Sequence, residues 1–170
     1  LLASSAASDV YKRQEANLAR TDLESILRSL APGWREQLKR REISLSLDLD
    51  RGLPTVMSDS HRLEAMLGGL IDRSSRGLPG GSELQLGLQA AGARVKLQLH
   101  VVLPGSATSS ANSSPAREEL GTVLSWDPTT GSLQLSQDAT RQMMASLGGR
   151  YQPRRDRDLT VFFPVHSDAD

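Results

Sequence analysis

The sequence predicts an α+β fold, a two-layer α/β sandwich in which about three helices cover one face of a mixed, mostly antiparallel sheet. Three observations support this prediction. Two neighbouring segments alternate strictly between apolar and polar residues, and a short glycine-containing turn joins them. Three other segments carry apolar residues at helical spacing. The predicted order is helix, strand, helix, hairpin, loop, helix, hairpin, and adjacent strands of this kind pair antiparallel while helices cover one face.

The first predicted helix begins at Thr21 or Asp22, either of which is a good N-cap. Pro32 should end or kink this helix, because an interior proline removes a hydrogen bond and clashes with the preceding turn. A second helical piece is then expected from Trp34 to about Arg41. The apolar repeat at three- and four-residue spacing consists of Leu23, Ile26, Leu27 and Leu30.

The next segment, residues 43–50, alternates between apolar and polar side chains and predicts a half-buried strand. Residues 51–59 predict a turn followed by a short extended piece. The basic cluster Lys39–Arg41, which precedes the strand, is interpreted as the solvated face of the preceding helical piece rather than as a phosphate contact.

A second helix is predicted to begin at Ser58 or Asp59 and to end at Gly77. It contains two adjacent glycines, Gly68 and Gly69, each of which costs a helix roughly 1 kcal/mol relative to alanine. Such a pair requires a structural or functional reason. The apolar face of this helix consists of Leu63, Met66, Leu67, Leu70 and Ile71.

Residues 83–89 and 94–102 alternate strictly and predict a hairpin. Residues from about 104 to 118 are rich in Ser and Ala without periodicity, and predict a flexible loop that resembles a lid. The segment 121–126 is compatible with either a short strand or an irregular piece.

Residues 133–149 predict a third helix, which ends at Gly148. Residues 150–153 and 159–165 then predict two closing strands, joined by a charged turn. The inward-facing residues of the third helix are expected to be Ala139, Met143, Met144 and Leu147.

Composition excludes several classes of function. The net charge is zero and aromatic residues form 4% of the chain, so no nucleic-acid partner is expected. There is no Cys, which excludes disulfides and thiolate metal sites. No run reaches the roughly 18 apolar residues of a membrane span. Nucleophile, P-loop and zinc-protease motifs are absent. His61, His100 and His166 lie in separate elements and are interpreted as ordinary polar residues.

The N-terminal segment Ser4–Gln14 matches, without a mismatch, the translation of one end of a widely used transposase sequencing adapter. Residues 1–14 are therefore expected to be adapter-derived and disordered, and residues 15–170 to form the domain. The sequence is then expected to be a C-terminal piece of a longer protein.

Several ordered motifs in residues 22–165 resemble the catalytic, ATP-binding domain (GHKL-type) of bacterial sensor histidine kinases. Leu53–Pro54 precedes a short strand, Asp59–Leu63 matches the Asp-x-x-Arg-Leu pattern, and Pro79–Gly80 leads into a hairpin. Residues 141–165 resemble the end of the family domain, a helix closed by two glycines and a hairpin that ends in an apolar-Pro strand. No single motif is specific, but their order and spacing are.

The resemblance implies an α/β sandwich that binds nucleotide between helices and sheet, under a mobile lid. It implies phosphoryl transfer from ATP, with Mg²⁺, to a histidine on an upstream dimerisation and phosphoacceptor domain. The implied partners are that upstream domain and a response regulator. It also implies a cytoplasmic domain whose parent could be membrane-anchored upstream, and an isolated piece that is a monomer.

The family's metal-binding helix usually carries two asparagines, which fall on Gly69 and Arg73 of this chain. Asp72 is a carboxylate next to the second of these positions, but its offset of one residue turns it about 100° around the helix. Arg73 could place a positive charge near a phosphate in place of the metal. The alternative is a surface salt bridge on the helix.

The family's adenine-binding Asp falls on Val101, which cannot accept a hydrogen bond, and of the glycines that follow it only Gly105 is kept. The second glycine-rich turn falls on Ser132–Ser136, around Leu135, where no glycine remains, although Gly131 lies just before it. The nucleotide-binding positions implied by the resemblance are therefore Gly69, Asp72, Arg73, Val101, Gly105, Gly131 and Leu135.

The leading interpretation is a histidine-kinase-like ATP-binding domain with weakened or lost ATP binding, acting as a regulatory module in two-component signalling. Two alternatives stay open. One is an active kinase domain that uses unorthodox contacts, and the other is a non-catalytic interaction domain. A fold alone does not decide among them, because function depends on the site.

Overall fold

The computed structural model describes residues 17–105, 118–120, 124–127, 132–153 and 158–167. The predicted adapter segment and most of the predicted lid, residues 106–117, lie outside the described residues. The helices are α1 (Leu23–Lys39), α2 (Ser60–Ser75) and α3 (Gln137–Ser146). The strands are β1 (Ala19–Thr21), β2 (Ser44–Leu49), β3 (Val56–Ser58), β4 (Glu83–Ala91), β5 (Arg94–Val102), β6 (Glu118–Leu120), β7 (Leu124–Asp127), β8 (Ser132–Leu135), β9 (Arg150–Pro153) and β10 (Leu159–Pro164).

The central element is a five-stranded sheet of order β2-β4-β5-β10-β9. β2 runs parallel to β4, and the other neighbours are antiparallel. The hairpin β4–β5 turns at Gly92, whose φ of 63° lies in the left-handed region that glycine adopts without strain. The structure thus confirms the predicted mixed, mostly antiparallel sheet and both predicted hairpins.

The two faces of this sheet differ sharply in polarity. Leu86 is opposite Leu47 on one neighbouring strand and Leu99 on the other, and directly opposite residues share a face. On the reverse face, Gln85 is opposite Ser46 and His100. The buried residues of the apolar face are Leu45, Leu84, Leu86, Leu88, Val95, Leu97, Leu99, Leu159, Val161 and Phe163. Only this face needs to be covered, which confirms the two-layer α/β sandwich.

The first helix is longer than predicted, because α1 does not end at Pro32 but continues to Lys39. Pro32 is exposed, whereas Trp34 and Leu38, which follow it, are buried on the same face as Leu27 and Ala31. An interior proline costs about 3 kcal/mol. Burial of a leucine contributes roughly 1.5–3 kcal/mol, and Trp34 adds to this. The packing beyond Pro32 therefore outweighs the cost of the proline.

The second helix confirms its predicted caps. Asp59 is the N-cap of α2, and its Oδ1 accepts a hydrogen bond from the backbone N–H of Arg62 at 3.1 Å. Beyond the helix end, Gly77 has a φ of 75°. Ser58, the other candidate cap, is fully buried instead, and its Oγ donates to the carbonyl oxygen of Leu147 at 2.8 Å.

The third helix was predicted to start too early. Residues 132–135 form strand β8, and α3 begins at Gln137. The residue between them, Ser136, is the N-cap and accepts from Ala139 N–H at 3.1 Å, so no helix could include both sides of it. Gly148, with a φ of 79°, ends the helical turn as predicted.

Two small sheets were not predicted as such. β1 pairs antiparallel with β3, and Thr21 Oγ1 donates to the carbonyl oxygen of Ser58 at 3.0 Å. β6, β7 and β8 form a three-stranded antiparallel sheet, so the segment around 121–126 contains a strand. In the part of the chain that the structure describes, we find no helix long and apolar enough to cross a membrane.

Gly149, in the turn after α3, packs closely against strand β10, and this contact leads to a prediction about stability. A Cβ at Gly149 would lie 2.7 Å from Val161 Cγ1 and 3.0 Å from Phe163 Cε1. We expect Gly149→Ala to destabilise the protein by roughly 1–3 kcal/mol, since overpacking displaces buried side chains. Urea unfolding followed by circular dichroism measures this change.

The matched control is Gly33→Ala in α1, where a Cβ would meet no atom within 4 Å. This variant should be as stable as the parent or more stable by up to about 1 kcal/mol, because alanine favours a helix over glycine. Equal stability of the two variants would show that the contact around Gly149 is not tight.

Candidate functional site

The α2 helix presents three different sides, and the predicted site residues fall on two of them. Leu67 and Ile71 face the sheet and are buried. One flank faces α1, since a Cβ at Gly68 would lie 3.8 Å from Trp34 Nε1. Asp72, one turn further along, is on this same flank. Gly69 is turned by about 100° from Gly68, and therefore lies on a different side of the helix.

The carboxylate of Asp72 is fully engaged in hydrogen bonds. Its Oδ1 accepts from Gln37 Nε2 and from Arg41 Nη2, both at 3.0 Å. Its Oδ2 accepts from Arg76 Nε at 3.0 Å and from Arg76 Nη2 at 2.7 Å. Both oxygens therefore face cations or an amide of the protein itself, and neither is directed to a metal position.

Arg41 extends this connection to the end of α2. Its Nη1 donates to the hydroxyl of Ser75 and to the carbonyl oxygen of Asp72 at 3.3 Å. Ser75 is buried, and its hydroxyl donates to the same carbonyl at 2.8 Å. We call this group, which ties the end of α1 to the end of α2, the Asp72 cluster; it consists of Gln37, Arg41, Asp72, Ser75 and Arg76.

The protonation of Asp72 follows from this environment. Partial burial acts to raise the pKa of Asp72, but hydrogen bonds and charges from Arg76 and Arg41 outweigh it and hold the pKa below its ordinary value of 3.8. The carboxylate is therefore ionised at neutral pH. The prediction that Lys39–Arg41 is only a solvated face is wrong for Arg41, because this side chain is 35% exposed and bonded to Asp72.

Arg73 folds back over Gly69, one turn earlier on α2. Its Nη1 and Nη2 lie 3.1 and 3.3 Å from the position that a Cβ at Gly69 would take. The residue is half-buried. Among the described residues, no carboxylate forms an ion pair with Arg73. The structure thus brings Gly69 and Arg73 together and engages Asp72 with α1.

Val101 lies near the end of β5, on the sheet face that the helices cover, opposite Leu84. It is partly buried and packs against the core. Gly105, three residues beyond β5, has a φ of 80°, and a Cβ there would meet nothing within 4 Å. This position offers methyl groups where the resemblance implies a carboxylate, and Gly105 keeps the conformation of a glycine turn.

Leu135 lies in strand β8 and pairs with Leu124. The stretch that resembles the second glycine-rich turn is therefore extended and paired in a sheet. Gly131 lies outside the described residues, as do residues 106–117 of the predicted lid.

A small void lies between the helices and the centre of the sheet. Its volume of about 10 Å³ is close to the minimum that holds a single water molecule. It is lined only by apolar residues, namely Trp34, Leu67, Leu70, Ile71, Leu86, Leu97, Leu99 and Leu159. A larger groove of about 490 Å³ opens between Arg35 and Lys39 of α1 and Leu45 of β2. It shares no residue with the predicted nucleotide positions.

The histidines do not form a site in the described residues. His61 is exposed on α2, and His100 at the end of β5 contacts Asp158 through its Nδ1. In the part of the chain covered by the structure, no group of three or more His, Cys, Asp or Glu side chains is arranged to hold a metal ion. Sequence reasoning missed Gln37 and Ser75, and it missed the bonding role of Arg41. For Gln37 in α1 and Arg41 just after it, the local sequence carries no signal, since their partner Asp72 lies 35 and 31 positions away.

The chain is similar to a curated protein of known class. It is 33% identical over 146 residues to the sensor histidine kinase Hik34 of Synechocystis sp.. This match covers 84% of the chain and 30% of that kinase, so the chain spans less than a third of the length of its relative. No family model matches the chain.

Solved structures share the fold. The histidine kinase AdeS of Acinetobacter baumannii matches with a TM-score of 0.60 at 18% identity, over 94% of this chain and 72% of that one. Full-length ShkA, solved in complex with AMPPNP, matches with a TM-score of 0.58 at 20% identity, over 90% of this chain and 32% of that one. The histidine kinase ThkA in complex with the response regulator protein TrrA matches with a TM-score of 0.58 at 10% identity, over 95% of this chain and 46% of that one.

The Asp72 cluster generates a prediction about stability and pH. Asp72→Asn keeps the size of the side chain but removes its charge, and we expect it to cost about 1–2 kcal/mol of the free energy of unfolding at neutral pH. Because the folded-state pKa is depressed, the contribution of Asp72 is present above its unfolded pKa and is lost as pH falls through the folded pKa. Urea unfolding of parent and variant should therefore give a difference that shrinks below about pH 4.

The control is Asp138→Asn, which removes an exposed ion pair with Arg141 on α3. We expect this change to alter the free energy of unfolding by less than about 0.5 kcal/mol. An Asp72→Asn variant that unfolds like the parent at every pH would contradict a structural role for the cluster.

Proposed function

Since the chain is homologous to a sensor histidine kinase and has the fold of the histidine kinase catalytic domain, we propose that it is an ATP-binding-type domain that acts as a regulatory module. In this proposal its metal-dependent nucleotide binding is weakened or lost. The domain comprises residues 15–170 and belongs to a two-component signalling protein. Its nucleotide-binding positions are those implied by the resemblance.

One observation carries the proposal. The position of the family's metal-binding Asn holds Arg73, and the nearby carboxylate of Asp72 is bonded to Gln37, Arg41 and Arg76 instead. A cation at that position repels Mg²⁺ rather than binding it. Asp72 could reach a metal only if the contact between α1 and α2 were broken.

The adenine position supports the same conclusion. Val101 packs against the core and has no group that accepts a hydrogen bond from an adenine amino group. Loss of one strong polar contact in an active site commonly removes about 2–4 kcal/mol of transition-state stabilisation, which is roughly 30- to 1,000-fold in rate. Loss of both the metal ligand and the base contact should reduce phosphoryl transfer far more than either loss alone.

The solved structures of similar fold support the proposed partners and cofactors. ShkA was solved with the ATP analogue AMPPNP and ThkA with a response regulator. We propose that this domain keeps a scaffold for ATP, without a conventional Mg²⁺ site, and docks a response regulator. An upstream dimerisation and phosphoacceptor domain and a cytoplasmic location are further parts of the proposal.

A second candidate function is an active kinase domain with unorthodox contacts. One observation favours it, namely the half-buried guanidinium of Arg73 without a carboxylate partner among the described residues. The two candidates differ in whether they need to bind ATP. An active kinase requires productive ATP binding, whereas the regulatory module does not.

Isothermal titration calorimetry of the full chain with ATP, in the presence and absence of Mg²⁺, tests the proposal. We expect no micromolar binding by the parent and no gain in affinity on adding Mg²⁺, because neither a metal ligand nor an adenine acceptor is available. The double variant Val101→Asp with Arg73→Asn should gain Mg²⁺-dependent binding, since it restores both groups.

Thermal unfolding of the double variant is the control, since an aspartate at the partly buried position 101 should cost roughly 1–3 kcal/mol of stability. Micromolar ATP binding by the parent, with or without Mg²⁺, would sink the regulatory proposal in favour of an active kinase. If a folded double variant binds no ATP, the proposal that the domain keeps a scaffold for ATP is wrong.

A further inference from the structure

The two adjacent glycines of α2 have different surroundings. A Cβ at Gly68 would make an ordinary contact, 3.8 Å from Trp34 Nε1. A Cβ at Gly69 would lie 3.1 and 3.3 Å from the two terminal nitrogens of Arg73. An alanine could therefore replace Gly68 without any adjustment, whereas at Gly69 it would push the guanidinium away. Gly69 is the residue that makes room for Arg73.

The charge of Arg73 also differs from those of its neighbours. Arg41 and Arg76 both donate to Asp72. Arg73 lies between them in sequence, but it is turned about 100° from Asp72 on the helix. Within the described ranges it forms no ion pair, although it is half-buried. A guanidinium held close to the helix surface without an internal carboxylate is suited to bind an external anion.

The flank that carries Arg73 faces away from α1. The other flank contacts Gln37 of α1 and Arg41 just beyond the end of α1, and α1 packs against β2 at one edge of the sheet. α3 packs against β9 at the opposite edge. Arg73 therefore lies on the flank of α2 that is turned away from α1.

We propose that Arg73, seated over Gly69, is an anion-binding residue for the phosphates of a nucleotide and supplies the positive charge that a metal ion would otherwise provide. This inference rests on the proposed function, since it assigns the ligand class of the same site. A guanidinium offers a planar fork of donors that matches phosphate oxygens and stays charged at any physiological pH. Binding of this kind needs no divalent cation.

The metal dependence is then reversed relative to a conventional site. Mg²⁺ neutralises part of the charge of ATP, so it should compete with Arg73 for the phosphate oxygens instead of strengthening binding. The affinity for metal-free ATP and for inorganic tripolyphosphate should be similar, because the contact is with phosphate and not with the base. This affinity is expected to be weak and to fall as salt is added.

Calorimetric titration of the full chain with tripolyphosphate, and separately with ATP, both in the presence of a chelator, tests the inference. Arg73→Gln should weaken the binding of both ligands by about tenfold or more, which corresponds to about 1.4 kcal/mol of binding free energy. Arg76→Gln is the matched control. It removes an equal charge three residues after Arg73, from a side chain that is bonded to Asp72. This variant should change the affinity for either ligand by less than about twofold.

The glycines give a second, independent comparison that does not change charge. Gly69→Ala should displace the guanidinium and weaken tripolyphosphate binding, whereas Gly68→Ala should leave the affinity unchanged. Both substitutions should maintain or raise stability, because each improves helix propensity and the atoms near Gly69 belong to the end of a flexible side chain. A loss of affinity in Gly69→Ala therefore reports the position of Arg73 and not unfolding.

The outcomes separate this inference from the proposed function. If the parent binds neither tripolyphosphate nor metal-free ATP, or if Arg73→Gln binds both like the parent, the role of Arg73 is overturned. The proposed function would still stand on the Mg²⁺-dependent gain by Val101→Asp with Arg73→Asn. If Mg²⁺ strengthens ATP binding by the parent, the loss of the metal site is refuted, whatever Arg73 does.

Discussion

The apolar face of the five-stranded sheet must be kept from water, and most of the structure follows from that requirement. Register places the leucines and valines of β2, β4, β5 and β10 on one side and polar residues on the other. The three helices therefore share a single face. α1 lies at the β2 edge and α3 contacts β9. This arrangement leaves α2 over the middle of the sheet, with both flanks directed along the helix layer.

The two flanks of α2 have different surroundings. On the α1 side, the Asp72 cluster joins the ends of two helices through a carboxylate that accepts from three side chains. On the other side, Gly69 leaves space for Arg73. A rotation of about 100° per residue is enough to separate the two. Neighbouring residues of one helix can thus lie in different surroundings, one bonded to the adjacent helical segment and the other without an ion pair among the described residues.

The departures from the histidine kinase pattern are each accommodated by the packing around them. Val101 fits the core, Asp72 stabilises a helix–helix contact, and Arg73 lies over a glycine. These contacts are compatible with the fold whatever the ligand chemistry, because fold and site respond to different constraints. The resemblance therefore describes the fold more completely than it describes the activity.

The sequence by itself determined the elements whose signals are local: the alternating hairpin β4–β5, the cap at Asp59 and the glycine stops after α2 and α3. Strict alternation and capping act within a few residues, so the chain specifies them before it folds. Only the tertiary structure decided that α1 continues past Pro32, that β1 pairs with β3, and that Arg41 bonds to Asp72. Each of these depends on burial or contact with residues distant in sequence, and no local pattern records such partners.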